Sequence, residues 1–140
     1  MFDWIASQSS LDTNKLMVTG GSYGGFMTLA VATHYNDRIG CSVDVVGPSN
    51  LVTFLEQYGD ERDPKMRAFL ESIAPFNKAK NVSRPMFVIA GKNDRRVPAS
   101  ESEQIVKIVR QNNTPVWRLE AKDEGHGLKK RTATSSFTRP

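Results

Sequence analysis

Lys15 to Ala32 reads K-L-M-V-T-G-G-S-Y-G-G-F-M-T-L-A-V-A: a short apolar run, four glycines around Ser22 and Tyr23, and a second apolar run. Leu16 to Val18 suits a strand, and Phe26 to Ala32 suits a helix. Between them, Gly20-x-Ser22-x-Gly24 fits a nucleophile elbow, a sharp strand-to-helix turn that presents a serine hydroxyl. The glycines have a physical task in such a turn. The serine backbone is strained, and its neighbours must be small for strand and helix to approach. The same turn leaves the Tyr23 backbone N–H at a helix N-terminus, free to face an oxyanion. A glycine-rich turn of purely structural purpose is the competing reading.

The remaining chain alternates strands with helices. Cys41 to Val46 reads as a second strand, stopped by Gly47-Pro48. Ser49 or Asn50 suits a helix cap ahead of Leu51, Phe54 and Leu55. Tyr58 to Asp63 reads as a loop. Pro64 opens a helix with Met66, Phe69, Leu70 and Ile73 on one face, closed by Pro75. Pro85 to Ala90 is a third strand of continuous apolar character, as in a sheet covered on both faces. Ala99 or Ser100 opens a helix with Ile105, Ile108 and Val109 at helical spacing. Pro115 to Leu119 is a fourth strand, and the residues after Gly127 are polar. The pattern predicts about four parallel strands joined by right-handed crossovers, with helices on both faces.

Composition bounds the function. The 140 residues allow at most one ordinary domain, and 39% hydrophobic content suits a globular chain. No apolar run approaches the roughly 20 residues that span a membrane. The formal charge of +4 gathers partly at Lys129, Lys130, Arg131 and Arg139. No basic stripe with interleaved aromatics accompanies it, so no nucleic-acid partner is expected. The lone cysteine, Cys41, excludes an internal disulfide and a metal cluster; a buried structural thiol is expected. Met1 to Ser10 lacks the pattern of a signal peptide, so the expected location is cytoplasmic. No metal or organic cofactor is implied.

In a parallel sheet, chemistry gathers at the carboxyl ends of the strands. Three loops lie there: Gly20 to Gly24, Gly91 to Pro98, and Lys122 to Gly127. A serine nucleophile needs a base, and the base needs an orienting carboxylate. Of two histidines, His34 lies about three turns along the helix from Ser22 and points away, whereas His126 stands between two glycines after the fourth strand. For the carboxylate, Asp94 follows the third strand. Asp123 and Glu124 are too near His126 in sequence to brace its ring. Asp12 and Asp44 lie at the wrong end or inside a strand. A plain turn aspartate is the competing reading of Asp94. The order Ser22, Asp94, His126 is that of an α/β-hydrolase.

G-G-S-Y-G-G-F-M-T, G-K-N-D-R-R-V-P and D-E-G-H-G together resemble the catalytic domain of the prolyl oligopeptidase family of serine peptidases. The likeness is greatest to its acylaminoacyl-releasing and dipeptidyl-peptidase-like branch, and runs from about Phe2 to Lys130. The resemblance implies Ser22 as nucleophile, His126 as base, Asp94 as its partner, and Tyr23 as one oxyanion donor. Val97-Pro98 would pack the loop that holds Asp94. It implies hydrolysis of a peptide by acyl transfer, with an ester as the alternative substrate.

Against the family pattern, residues 1–130 correspond to the C-terminal portion of the catalytic domain, a partial α/β-hydrolase without its upstream strands. The strand Leu16 to Thr19 would then be an open edge, which invites pairing with another copy of the chain. An inactive or oligomerising fragment is therefore the alternative function. The loop near Gln57-Tyr58 looks shorter than in relatives. Residues 131–140 depart from the amphipathic closing helix of the family. We read a one-nucleotide frameshift there: codons that can encode Lys130 to Pro140 give K-A-N-R-D-F-L-F-Y-A-T when one G is restored after the Lys130 codon. Parent DNA with codons incompatible with that frame would refute this reading.

Overall fold

A computed structural model of the chain describes residues 1–56, 63–130 and, for the main chain alone, 135–138. The elements are α1 (Phe2–Ala6), β1 (Met17–Gly21), α2 (Tyr23–His34), β2 (Cys41–Val45), α3 (Leu51–Glu56), α4 (Pro64–Ile73), β3 (Met86–Gly91), α5 (Ala99–Gln111), β4 (Val116–Ala121) and β5 (Ser135–Thr138). The sheet order is β1-β2-β3-β4-β5. The first four strands are parallel, in the register Met17↔Cys41, Ser42↔Met86 and Met86↔Val116. This is a partial α/β-hydrolase fold with helices flanking the sheet. Parallel neighbours need long crossovers, which α2, the α3–α4 segment and α5 supply.

β1 runs to Gly21, two residues past the expected end at Thr19. The ladder explains the extension: Gly21 pairs with Val45, and the Ser22 N–H donates to the Val45 carbonyl at 2.9 Å. α2 likewise begins at Tyr23, ahead of the apolar run Phe26 to Ala32, because Phe26 N–H closes the first helical turn on the Ser22 carbonyl at 3.1 Å. Strand and helix therefore meet at the serine with no intervening loop.

The core gathers Leu29 from α2, Met86 and Val88 from β3, Val116 from β4, and Ile105, Val106 and Val109 from α5. α2 and α5 both pack on a 3-10 segment, Pro75–Asn81, which the sequence pattern did not reveal. Burial along β3 alternates: Met86, Val88 and Ala90 are buried, whereas Phe87 and Ile89 are half-buried. α4 starts as expected, with Asp63 capping it by accepting from the backbone N–H groups of Lys65 and Met66. Its apolar face is only partly used. Leu70 is buried, but Met66 and Phe69 are 41% and 56% exposed, since α4 lies against α3 rather than on the sheet. Cys41 is a free thiol and only half-buried, because it stands at the first position of β2 beside the sheet rim.

The loop expected near Gln57-Tyr58 and over residues 58–62 lies outside the described residues. In the tail, where no strand was expected, β5 pairs antiparallel with β4, Leu119 opposite Phe137. β1, at the other end of the sheet, is paired on one side only among the described residues, and Met17 is 58% exposed. Among the described residues no helix is long and apolar enough to cross a membrane.

Candidate active site

Ser22 stands at the junction of β1 and α2 with φ 57° and ψ −120°. A serine at positive φ is strained, by about 1–3 kcal/mol, and persists only where its surroundings over-determine it. Two glycines make that possible. A Cβ on Gly20 would collide with the Gly24 carbonyl, and one on Gly25 would meet Gly47 Cα at 2.6 Å as well as the Asp44 carboxylate. Only bare backbone lets the helix sit this close to its strand.

Asp94 lies on the loop after β3 and its side chain is fully buried. Its Oδ1 accepts from the backbone N–H groups of Arg96 at 2.8 Å and Val97 at 3.0 Å. The buried Val97 side chain anchors the same turn. Oδ2 is left to face the loop after β4, where His126 Nδ1 approaches it at 2.7 Å. His126 Nε2 lies 3.0 Å from Ser22 Oγ, across 104 residues of sequence. The pairing requires the tautomer with Nδ1–H donating to Asp94 and Nε2 accepting from the serine hydroxyl. The loops are stitched together: Lys92 N–H donates to the Ala121 carbonyl and Asn93 N–H to the Glu124 carbonyl, both at 2.9 Å. Tyr23, as first residue of α2, has no carbonyl within the helix to receive its N–H. Its phenol is 72% exposed and its ring leans on Phe26.

The other acidic and imidazole groups lie elsewhere. His34 Nε2 is 3.3 Å from Lys78 Nζ at the far end of α2. Asp12 caps a 3-10 turn through Asn14 N–H. Asp44 is 1% exposed inside β2. Its Oδ1 accepts from Gly47 N–H at 3.1 Å, while Oδ2 has no partner among the described residues. Burial pushes this carboxyl up to about 8, against a smaller lowering by the Gly47 N–H. Among the described residues no group of three His, Cys, Asp or Glu side chains could hold a metal ion.

An apolar cavity of about 270 Å³ abuts Ser22, lined by Phe26, Pro48, Leu51, Phe54, Leu55 and Ile73 among others. Sequence periodicity did not reveal it, because its walls come from α2, α3 and α4 and meet only in the fold. Its α3 wall is tied to α5 by Glu101, itself 1% exposed. The Glu101 carboxylate accepts from Ser49 N–H (2.9 Å), Asn50 N–H (2.7 Å) and Thr53 Oγ1 (2.6 Å). Nothing in the sequence marked this glutamate, which reads as an ordinary polar residue in the first turn of a helix.

The sequence model of the prolyl oligopeptidase family matches residues 1–139. The chain is 34% identical over 149 aligned positions to dipeptidyl aminopeptidase BIII of Pseudoxanthomonas mexicana, covering 96% of this chain and 22% of that protein. It is 33% identical to dipeptidyl peptidase family member 6 of Caenorhabditis elegans, covering 91% of this chain and 20% of that one. A solved puromycin-hydrolyzing peptidase from Mycobacterium tuberculosis superposes with a TM-score of 0.83 at 27% identity, over 92% of this chain and 21% of that one. The chain thus spans about a fifth of the length of the relatives it matches.

Proposed function

Because the chain belongs to the prolyl oligopeptidase family, we propose that it carries the acyl-transfer machinery of a serine peptidase, with Ser22 as nucleophile, His126 as general base and Asp94 as its orienting carboxylate. The observation that carries this is one continuous line of contacts: Ser22 Oγ to His126 Nε2 at 3.0 Å, and His126 Nδ1 to Asp94 Oδ2 at 2.7 Å.

The mechanism follows from the placement. Ser22 Oγ attacks the substrate carbonyl carbon as its proton passes to His126 Nε2. The imidazolium is stabilised by Asp94, whose other oxygen is held by two backbone N–H groups and so does not swing. The carbonyl oxygen becomes an oxyanion beside the α2 N-terminus, where Tyr23 N–H supplies one donor. The C–N or C–O bond breaks, and His126 gives the proton to the departing amine or alcohol. Water then repeats the sequence on the acyl-enzyme and returns Ser22 to its hydroxyl form. The adjoining cavity is apolar and, at about 270 Å³, exceeds the roughly 150 Å³ that admits benzene. We assign it the side chain on the acyl side of the scissile bond, so peptides or esters with a large apolar residue there are the substrates.

A fluorophosphonate probe tests this reading. The chain is expected to be labelled, and Ser22→Ala to abolish labelling. Folded protein that resists the probe would refute it. A second reading, a catalytically silent chain that self-associates, is favoured by one observation: among the described residues β1 is paired on one side only, with Met17 exposed. Absent labelling together with a dimer in solution supports that reading.

A further inference from the structure

The loop that carries His126 is closed by a side chain outside the Ser22–His126–Asp94 line. Glu124 is only 4% exposed. Its Oε2 accepts from Lys129 N–H at 2.9 Å and its Oε1 from Lys130 N–H at 2.5 Å. The chain between them reverses at Gly127 and Leu128, which both adopt positive φ, 98° and 46°. That reversal turns two successive N–H groups back toward the carboxylate. The Glu124 carbonyl meanwhile accepts from Asn93 N–H at 2.9 Å, on the loop that holds Asp94. One residue therefore closes the His126 loop through its side chain and joins it to the Asp94 loop through its main chain. Neither Glu124 nor Asp123 braces the imidazole itself, as their closeness in sequence to His126 led us to expect.

We infer that Glu124 is a positioning residue, whose buried carboxylate fixes where the His126 imidazole stands between Ser22 and Asp94. This rests on the reading of Ser22, His126 and Asp94 given above. The chemistry favours a carboxylate over its neutral analogue. An ionised carboxylate only accepts, at both oxygens, so two N–H donors meet it in charge-assisted bonds. A glutamine offers one acceptor and turns its NH2 group toward the second N–H, donor against donor. Opening one strand of the clasp frees the loop tip, and a misplacement of about 1 Å in a reacting group lowers rate on the order of 10²-fold. Asp123 serves as the comparison: it sits beside Glu124 but reaches outward to Lys130 Nζ at 3.5 Å.

Two readouts on the full chain test this. One is the second-order rate of fluorophosphonate labelling. The other is the low-field proton NMR signal of His126 Nδ1–H in its bond to Asp94, which needs no turnover. Glu124→Gln is expected to slow labelling on the order of 10- to 100-fold and to broaden or abolish the low-field signal. Asp123→Asn is expected to leave both unchanged. A folded Glu124→Gln variant with wild-type labelling and a wild-type signal overturns the inference. If the wild-type chain is not labelled at all, the peptidase reading fails, and the proton signal alone decides the positioning role: lost in Glu124→Gln it supports the clasp, retained it overturns it. Should Glu124→Gln not fold, Glu124→Asp decides in its place. It keeps the charge but is one methylene too short to span both N–H groups, and the same two readouts apply.

Discussion

Replacing Asp44 by asparagine should change how the stability of this protein depends on pH. The Asp44 carboxyl is buried beneath the first turn of α2, with Gly25 and Gly47 packed against it and one oxygen without a partner among the described residues. Desolvation raises it from 3.8 to about 8. The sign follows from proton linkage. At pH below about 4 the carboxyl is neutral in both folded and unfolded chains and has no pH-linked effect. As pH rises, the unfolded chain releases the proton first, so stability is lost through the whole interval up to the folded value near 8. Each unit in that interval costs about 1.4 kcal/mol, so the loss between pH 5 and pH 8 is on the order of 4 kcal/mol. That is a large part of the roughly 5–15 kcal/mol that holds a domain together. Asparagine keeps the acceptor for Gly47 N–H and has no proton to release. Urea unfolding of both proteins at pH 5, 6.5 and 8 reads the difference. The Asp44→Asn curve should gain on wild type steadily as pH rises, whatever the offset between them at pH 5. Parallel curves across that range would show that the carboxyl is not held neutral by burial, and would refute the reasoning.

Other substitutions test the core, the candidate site and the sheet edge. Leu29 is fully buried in the central cluster, so Leu29→Ala should cost about 2–5 kcal/mol in urea unfolding; a loss below 1 kcal/mol would mean the α2–sheet packing is not as described. Asp94→Asn leaves the loop its Oδ1 contacts but favours the wrong imidazole tautomer, and should slow labelling at Ser22 about 10⁴-fold without a comparable loss of stability. Phe54→Ala enlarges the apolar cavity and should weaken selection for p-nitrophenyl esters of bulky acyl groups over acetate, while leaving the acetate rate near wild type. Size-exclusion chromatography should show self-association through the β1 edge, reversed by Met17→Lys, because a charge on an exposed edge opposes strand pairing.

The elements that periodicity could identify were those with strong local signals. The apolar runs at residues 85–90 and 115–119, the Asp63-Pro64 helix start and the glycine cluster around Ser22 each encode their structure within a few residues. What the pattern missed depends on partners distant in sequence. β1 extends past Thr19 because Val45 stands opposite Gly21. Met66 and Phe69 share an apolar helix face that the fold leaves exposed, since α4 meets α3 and not the sheet. The tail strand β5 exists only because β4 offers an unpaired edge to a polar stretch.

The candidate site divides in the same way. Residue type, spacing and chain order mark Ser22, Asp94 and His126 as a set, because a serine at an elbow, an acid after the next-but-one strand and a histidine after the last parallel strand are placed by the parallel topology on neighbouring loops. Sequence also singles out the Tyr23 N–H, since any first helical residue lacks an internal acceptor. Tertiary structure decides the rest. The 3.0 Å and 2.7 Å approaches at His126, the apolar cavity walled by three helices, and the buried acids Glu101, Glu124 and Asp44 all arise from contacts between segments. A carboxylate carries no local sign of whether it will face water, two backbone N–H groups or an apolar interior. Its burial is a property of the surfaces that close over it, and those are assembled only when the sheet forms.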